Sequence, residues 1–192
     1  DQPNLPEGKR HPDKVRAMAY RTAERGGIVY VYMGKRATPP GLPDIEATMD
    51  PNPDARNMAM FQRDCNWLQA LEGDVDTSHL AFLHAGAVDP SKMDPEDPHT
   101  YNVLNKSPEV YASEMPWGTM YSASRPSKPG HDQHRYASFI FPFWVVYPAD
   151  RIERNRTANA WVPIDDHNTM VFNIDLSRAS GKFKTMSYAD GK

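Results

Sequence analysis

An α+β fold, with helices early and an antiparallel sheet after them, is what this sequence predicts, and three observations carry the prediction. Between Asn57 and Leu71 there is neither proline nor glycine, and Met60, Phe61, Asp64, Trp67, Leu68 and Leu71 recur at three- and four-residue spacing. Beyond residue 100 the apolar residues gather instead in short β-branched and aromatic runs, separated by Pro, Gly and Lys. The 18 prolines among 192 residues are about twice the usual share of roughly 5%, which predicts many short elements and long connections.

The same composition bounds the function. A chain of 192 residues suits one domain, or one and a piece of another. With 22 Lys+Arg against 25 Asp+Glu the net charge is −3, and the absence of a basic block argues against nucleic acid as the main partner. No apolar run approaches the ~18–20 residues that span a bilayer, so no membrane partner is expected. Asp1–Pro6 has neither the basic start nor the apolar middle of a signal peptide, and a cytoplasmic location is the expectation. The single cysteine, Cys65, excludes an intrachain disulfide and any cysteine-ligated zinc or iron–sulfur site built from this chain alone.

Along the chain, residues 1–13 are polar and proline-rich and read as a loop. Val15–Tyr20 alternates as an edge strand, Glu24–Gly27 supplies a turn, and Ile28–Met33 is a β-branched and aromatic strand, together a hairpin. Lys35–Asp54 holds five prolines and is the best domain boundary: residues 1–34 fall before it, 35–54 form the linker, and 55–192 make the main domain. The Asn57–Leu71 helix is interrupted at Glu72-Gly73-Asp74. Asp76-Thr77-Ser78 then caps a shorter helix through Leu83, with Gly86 as its stop. Residues 87–100 are loop. Strands are expected at Tyr101–Val103, Glu109–Ala112 and Thr119–Ser122, with a loop at Ser124–Gln133. Tyr136–Tyr147 is the most apolar strand, in which Pro142 marks a bulge or an edge. Thr157–Pro163 and Thr169–Leu176 flank the turn Asp165-Asp166-His167-Asn168.

The chemistry is densest between Cys65 and His84, where Asp76, His79 and His84 form Asp-x2-His-x4-His. Asp76 and His79 are about 60° apart on neighbouring turns of a helix, whereas His79 and His84 are about 140° apart. Both imidazoles reach one metal only if the helix is irregular or ends between them, which Gly73 and Gly86 make possible. Two histidines at this distance also arise by chance, so the bare pair is moderate evidence.

With its flanks the segment says more. Asn66-Trp67-Leu68-Gln69, Glu72-Gly73, Asp76, His79 and His84 together resemble the mononuclear-iron motif of the Rieske non-haem iron aromatic-ring oxygenases, in the phthalate dioxygenase branch of their large subunits. Arg21–Gly34 looks like the closing hairpin of a Rieske domain, and Arg135–Phe143 and Trp161–Met170 look like strands of the catalytic sheet. The resemblance covers roughly residues 3–176. It implies a helix-grip antiparallel sheet with helices, incomplete at both ends, and an intact enzyme that hydroxylates or O-demethylates an aromatic acid. Dioxygen and electrons from NADH or NADPH would be used, the electrons arriving through a reductase and a [2Fe-2S] Rieske cluster. His79 and His84 are implied as two facial ligands of Fe(II), for which neutral imidazole is suited. Asp76 is implied as the link to the cluster of a neighbouring subunit, in trimers or stacked trimers, and as an acceptor that fixes the His tautomer. Its plainer role, a helix cap, is compatible with that. Asn66 is implied close to the iron without binding it.

Two departures stand out. One cysteine cannot hold a Rieske cluster, so the cluster domain is expected to be absent from this chain. The family's third iron ligand is an aspartate in a downstream helix, and neither Asp165, Asp166, Asp175 nor Asp190 lies in a matching stretch. The isolated chain is expected to be inactive.

A flat aromatic acid needs an apolar slot and a cation. Phe139, Phe141 and Phe143 alternate onto one face of their strand, with Trp161, Met170 and Phe172 nearby, though core packing claims most such residues. Arg125 and Arg135, and after them Arg151 and Arg154, offer a fork for a carboxylate. Two other readings stay open: a non-catalytic helix-grip module holding an apolar or aromatic ligand, and a zinc or manganese hydrolase using the same histidines.

Overall fold

The computed structural model describes residues 4, 6, 16–52, 55–83, 89, 92–147 and 155–177. The chain divides into two units, residues 1–43 and 44–192.

In the smaller unit β1 (Arg21–Arg25) pairs antiparallel with β2 (Ile28–Tyr32). The two-residue connection Gly26-Gly27 has φ of 65° and 83°, the left-handed pair that matches the twist of a tight hairpin. The first strand therefore starts at Arg21, and residues 16–20, expected as the strand, lie outside it. The Arg25 guanidinium ties the hairpin to the proline-rich segment by donating to the carbonyls of Leu42 and Pro43.

The larger unit is a seven-stranded antiparallel sheet in the order β3-β9-β8-β7-β6-β5-β4. Its strands are β3 (Arg56–Arg63), β4 (Glu109–Met115), β5 (Gly118–Pro126), β6 (Asp132–Ile140), β7 (Trp144–Tyr147), β8 (Asn155–Pro163) and β9 (Thr169–Ser177). The helices are α1 (Glu46–Met49), α2 (Trp67–Val75), α3 (His79–Leu83) and α4 (Pro98–Leu104). An α+β helix-grip architecture is thus what the chain adopts.

Where the expected helix over 57–71 begins, the structure has strand β3. Eight residues from Arg56 to Arg63 pair with β9, and this long-range ladder overrides the local spacing. The helix starts only at Trp67, where the Asn66 side chain accepts from the Leu68 N–H at 3.0 Å and caps it. α1 lies inside the stretch expected to be linker, with Ile45, Ala47 and Thr48 buried. It packs against β8 and β9, whose alternate residues Ala158, Ala160, Ile174 and Leu176 are buried too. Tyr101–Val103, expected as strand, belongs to α4.

The other face of the sheet is gripped by α2. Trp67, Ala70, Leu71 and Val75, at helical spacing, pack with Phe61, Phe139, Val145, Tyr147, Trp161 and Val171. Full burial of each such side chain contributes ~1.5–3 kcal/mol. The apolar run expected as one strand is two: β6 ends at Ile140, the chain reverses through Phe141-Pro142-Phe143 with a cis Phe141–Pro142 peptide, and β7 begins at Trp144. The β8–β9 hairpin closes on Asp165, whose Oδ1 accepts the His167 N–H at 2.8 Å and the Asn168 side chain at 2.9 Å, holding its carboxyl below the usual carboxylate range.

Candidate functional site

α2 ends and α3 begins within three residues, and Asp76 serves both. Its N–H donates to the Glu72 carbonyl at 2.9 Å, closing α2. Its carboxylate accepts the N–H groups of Ser78 (2.7 Å) and His79 (3.2 Å), capping the next turn. The same carboxylate stands 3.5 Å from Nδ1 of His79, with about one third of that imidazole exposed. An imidazole with a carboxylate beside one ring nitrogen is the arrangement in which the other nitrogen ligates a metal, so His79 fits an Fe(II) ligand by its chemistry. Among the described residues no three His, Cys, Asp or Glu side chains gather as a metal-binding group. His84, Arg151, Arg154 and Asp190 lie outside the described residues.

Asn66 stands elsewhere. It occupies the far end of α2, about 15 Å along the helix from Asp76 at ~1.5 Å per residue. Its Nδ2 donates to the Asp166 carbonyl at 3.1 Å while its Oδ1 caps the helix, so the structure uses it to anchor α2 to the β8–β9 hairpin.

The three phenylalanines do not share a face, because the chain leaves the strand at Ile140. Phe139 joins the cluster under α2, Phe141 is 63% exposed with its ring edge-on to Phe139, and Phe143 lies against Trp144. The two arginines differ as sharply. Arg125 is fully buried and donates through Nε to the Asn105 carbonyl (3.0 Å), through Nη1 to Asn102 Oδ1 (2.9 Å), and through Nη2 to the carbonyl and hydroxyl of Thr77 (3.2 and 3.3 Å). Four of its five N–H donors are thereby engaged within the protein. Arg135 sits opposite Ala123 in the β5–β6 register, lies 5.7 Å from the Tyr147 ring, and keeps Nη1 buried without a hydrogen-bond partner. Of the two forks, Arg135 is the one with a donor to offer a ligand.

Around Arg135 is a polar network that lies outside the Asp-x2-His-x4-His motif. Asp74 Oδ2 accepts from Asn159 Nδ2 (2.6 Å) and Trp161 Nε1 (2.7 Å), Tyr147 Oη accepts from Asn159 Nδ2 (3.3 Å), and Asn173 Nδ2 donates to Asn159 Oδ1 (2.7 Å). Burial raises the pKa of Asp74, against the pull of these bonds and of Arg63 and Arg135. Burial, helped by Asp74, pushes the Tyr147 hydroxyl up to about 12, so it stays a neutral donor. The signal was legible: Trp67, Ala70, Leu71, Asp74 and Val75 are one helical stripe, and Asp74 is its one acid.

Comparison with known proteins agrees with this fold. The profile of the family described as "LigXa C-terminal domain like" matches residues 31–189. The chain is 38% identical over 172 residues to the 3-chlorobenzoate-3,4-dioxygenase oxygenase subunit of Comamonas testosteroni, covering 90% of this chain and 39% of that protein. It is 30% identical over 168 residues to the phthalate 4,5-dioxygenase oxygenase subunit of Pseudomonas putida, covering 83% and 37%. The chain thus spans about two fifths of the length of these curated relatives. The solved structure of NdmA from Pseudomonas putida CBB5 shares the fold at a TM-score of 0.62 and 19% identity, over 93% of this chain and 48% of that one. The chain belongs to the LigXa C-terminal domain-like family, the catalytic-domain family of Rieske oxygenase subunits.

Proposed function

We propose that the intact protein is the oxygenase component of a Rieske system acting on an aromatic carboxylate, which it hydroxylates or O-demethylates. The observation that carries the reading is the Asp76–His79 turn, a ligand-type imidazole beside a carboxylate, set at the polar end of a gripped sheet. His79 and His84 would hold Fe(II), which when bound supplies the site of dioxygen activation. Asp76 holds the His79 backbone and stands beside Nδ1 of its ring, and is the residue through which a neighbouring subunit's cluster would be connected. That makes a trimer, or stacked trimers, the expected assembly, and a reductase drawing on NAD(P)H the expected partner. The [2Fe-2S] cluster has to be held by other residues, since Cys65 is the only cysteine in the chain. Residues 1–34 are read as the end of the domain that holds it.

On the substrate side, Arg135 takes the carboxylate, with Tyr147 as a neutral donor beside it. Phe139 and Trp161, which pack in the apolar cluster under α2, are the aromatic residues assigned to the ring of the substrate. The test is anaerobic loading with Fe(II), followed by nitric oxide. One iron per chain with an iron-nitrosyl signal is expected, and His79→Ala and His84→Ala should each weaken iron binding by at least about 100-fold. Iron binding indifferent to both substitutions would sink the enzyme reading and leave a ligand-binding module.

A further inference from the structure

Strand β5 does something for the Asp76–His79 turn that neither the motif nor the family assignment accounts for. Its inward residues Tyr121, Ala123 and Arg125 are all buried, at 6, 0 and 0% exposure. The Tyr121 hydroxyl donates to the Val75 carbonyl, and Arg125 Nη2 donates to the Thr77 carbonyl. Tyr121 and Arg125 stand about 13 Å apart along the strand. The two carbonyls they hold are two residues apart, at most about 7 Å. Two long side chains therefore converge on the turn from either side, with the small Ala123 between them. Asp76 lies between the two held carbonyls, and its carboxylate in turn holds the Ser78 and His79 N–H groups. Hydrogen bonds from β5 thus hold the backbone on both sides of Asp76, and Asp76 in turn holds the backbone that carries the imidazole.

We propose that Tyr121 and Arg125 are positioning residues of the iron site, fixing the backbone on both sides of Asp76 and so aiming the His79 ring. This rests on the reading of His79 as an iron ligand. Stability alone is a poor reason for Arg125. All its hydrogen-bond acceptors are neutral oxygens, and burying a guanidinium among them carries a desolvation cost that an apolar side chain of similar volume would not. Burial, and next to it the charge of Arg135, lower its pKa from the ordinary value, which is the mark of that cost. What the guanidinium provides is a planar fork joining two segments: the α2–α3 turn at Thr77, and the end of α4 through Asn102 and Asn105.

The experiment uses the iron-loaded holoenzyme carrying Tyr121→Phe, Arg125→Lys, Arg125→Gln or His79→Ala. It reads Fe(II) affinity and the rhombicity of the iron-nitrosyl resonance, with unfolding curves alongside. Tyr121→Phe and Arg125→Gln should weaken Fe(II) binding by about 10- to 100-fold and shift the rhombicity, and Arg125→Lys should recover part of both. If Arg125→Gln does not fold, Tyr121→Phe, which keeps its ring, still decides. Wild-type affinity and resonance in folded Tyr121→Phe and Arg125→Lys, with the signal lost in His79→Ala, overturns the positioning role alone. An unchanged resonance in His79→Ala overturns the iron reading beneath it, and the proposal with it.

Discussion

Two halves of one sheet face differ in chemistry although the same strands build them. Under the middle of α2, Phe61, Phe139, Val145, Trp161 and Val171 close around Leu71. Two to four residues along the same strands, Arg135, Tyr147, Asn159 and Asn173 take their places, joined by Asp74 from the helix. The first half gains stability from every area of apolar surface it hides. The second half spends some of it, since each buried polar atom must be matched, and Arg135 Nη1 is not. A fold that needed only stability would have carried the apolar pattern through. The polar half is therefore where ligand chemistry is to be sought.

The largest effect should come from the apolar half. Leu71→Ala removes the helix residue at the centre of the cluster, 5% exposed, and should cost ~2–5 kcal/mol in urea unfolding. A loss below about 1 kcal/mol would mean that the helix is not held to the sheet by this contact, and the division of the face would lose its meaning.

In the polar half the expected effect moves from stability to binding. If Arg135 takes the carboxylate as proposed, Arg135→Gln in the intact enzyme should remove a charge-assisted bond of ~1.5–3 kcal/mol, which is about 10- to 100-fold in KM for an aromatic acid. Removing the donor at Nη1 breaks no hydrogen bond within the protein, while the contact with the Tyr147 ring is lost, so unfolding curves are read alongside KM. Phe141→Ser is the control: at 63% exposure it should change stability by no more than ~0.5 kcal/mol and leave KM alone. Equal KM for wild type and Arg135→Gln would remove the carboxylate from this half of the face.

These contrasts also explain what the sequence could and could not tell. The sheet, the hairpin turn at Asp165–Asn168 and the cap before His79 were legible because each is written in local alternation or in one side chain's reach to a nearby N–H. β3 was not legible. Met60, Phe61, Trp67, Leu68 and Leu71 satisfy helical spacing across a strand–helix junction, and only pairing with β9, more than 100 residues away, chooses strand. Arg125 and Arg135 are chemically identical in sequence. They are separated only by Asn102, Asn105 and Thr77, three distant residues that converge on one of them.

The finest test asks what kind of polarity the second half has. Asp74 lies between two opposing influences: burial, which raises its pKa, and the donors and arginines around it, which lower it, with burial the larger. A carboxyl whose folded pKa exceeds its unfolded value of about 3.8 stabilises the fold in its protonated form. That contribution is full below the unfolded value and is lost as pH rises through the raised folded one. Asp74→Asn keeps an acceptor oxygen for Asn159 and Trp161 but does not titrate. Its stability relative to wild type should therefore climb as pH rises through that window and then level off, read as the difference between two urea-unfolding series. A difference that falls instead would show that Arg63 and Arg135 hold Asp74 ionised. The polar half would then be an ion-paired network built around Asp74, and the unmatched Nη1 donor of Arg135 would no longer be the feature that sets it apart from the apolar half.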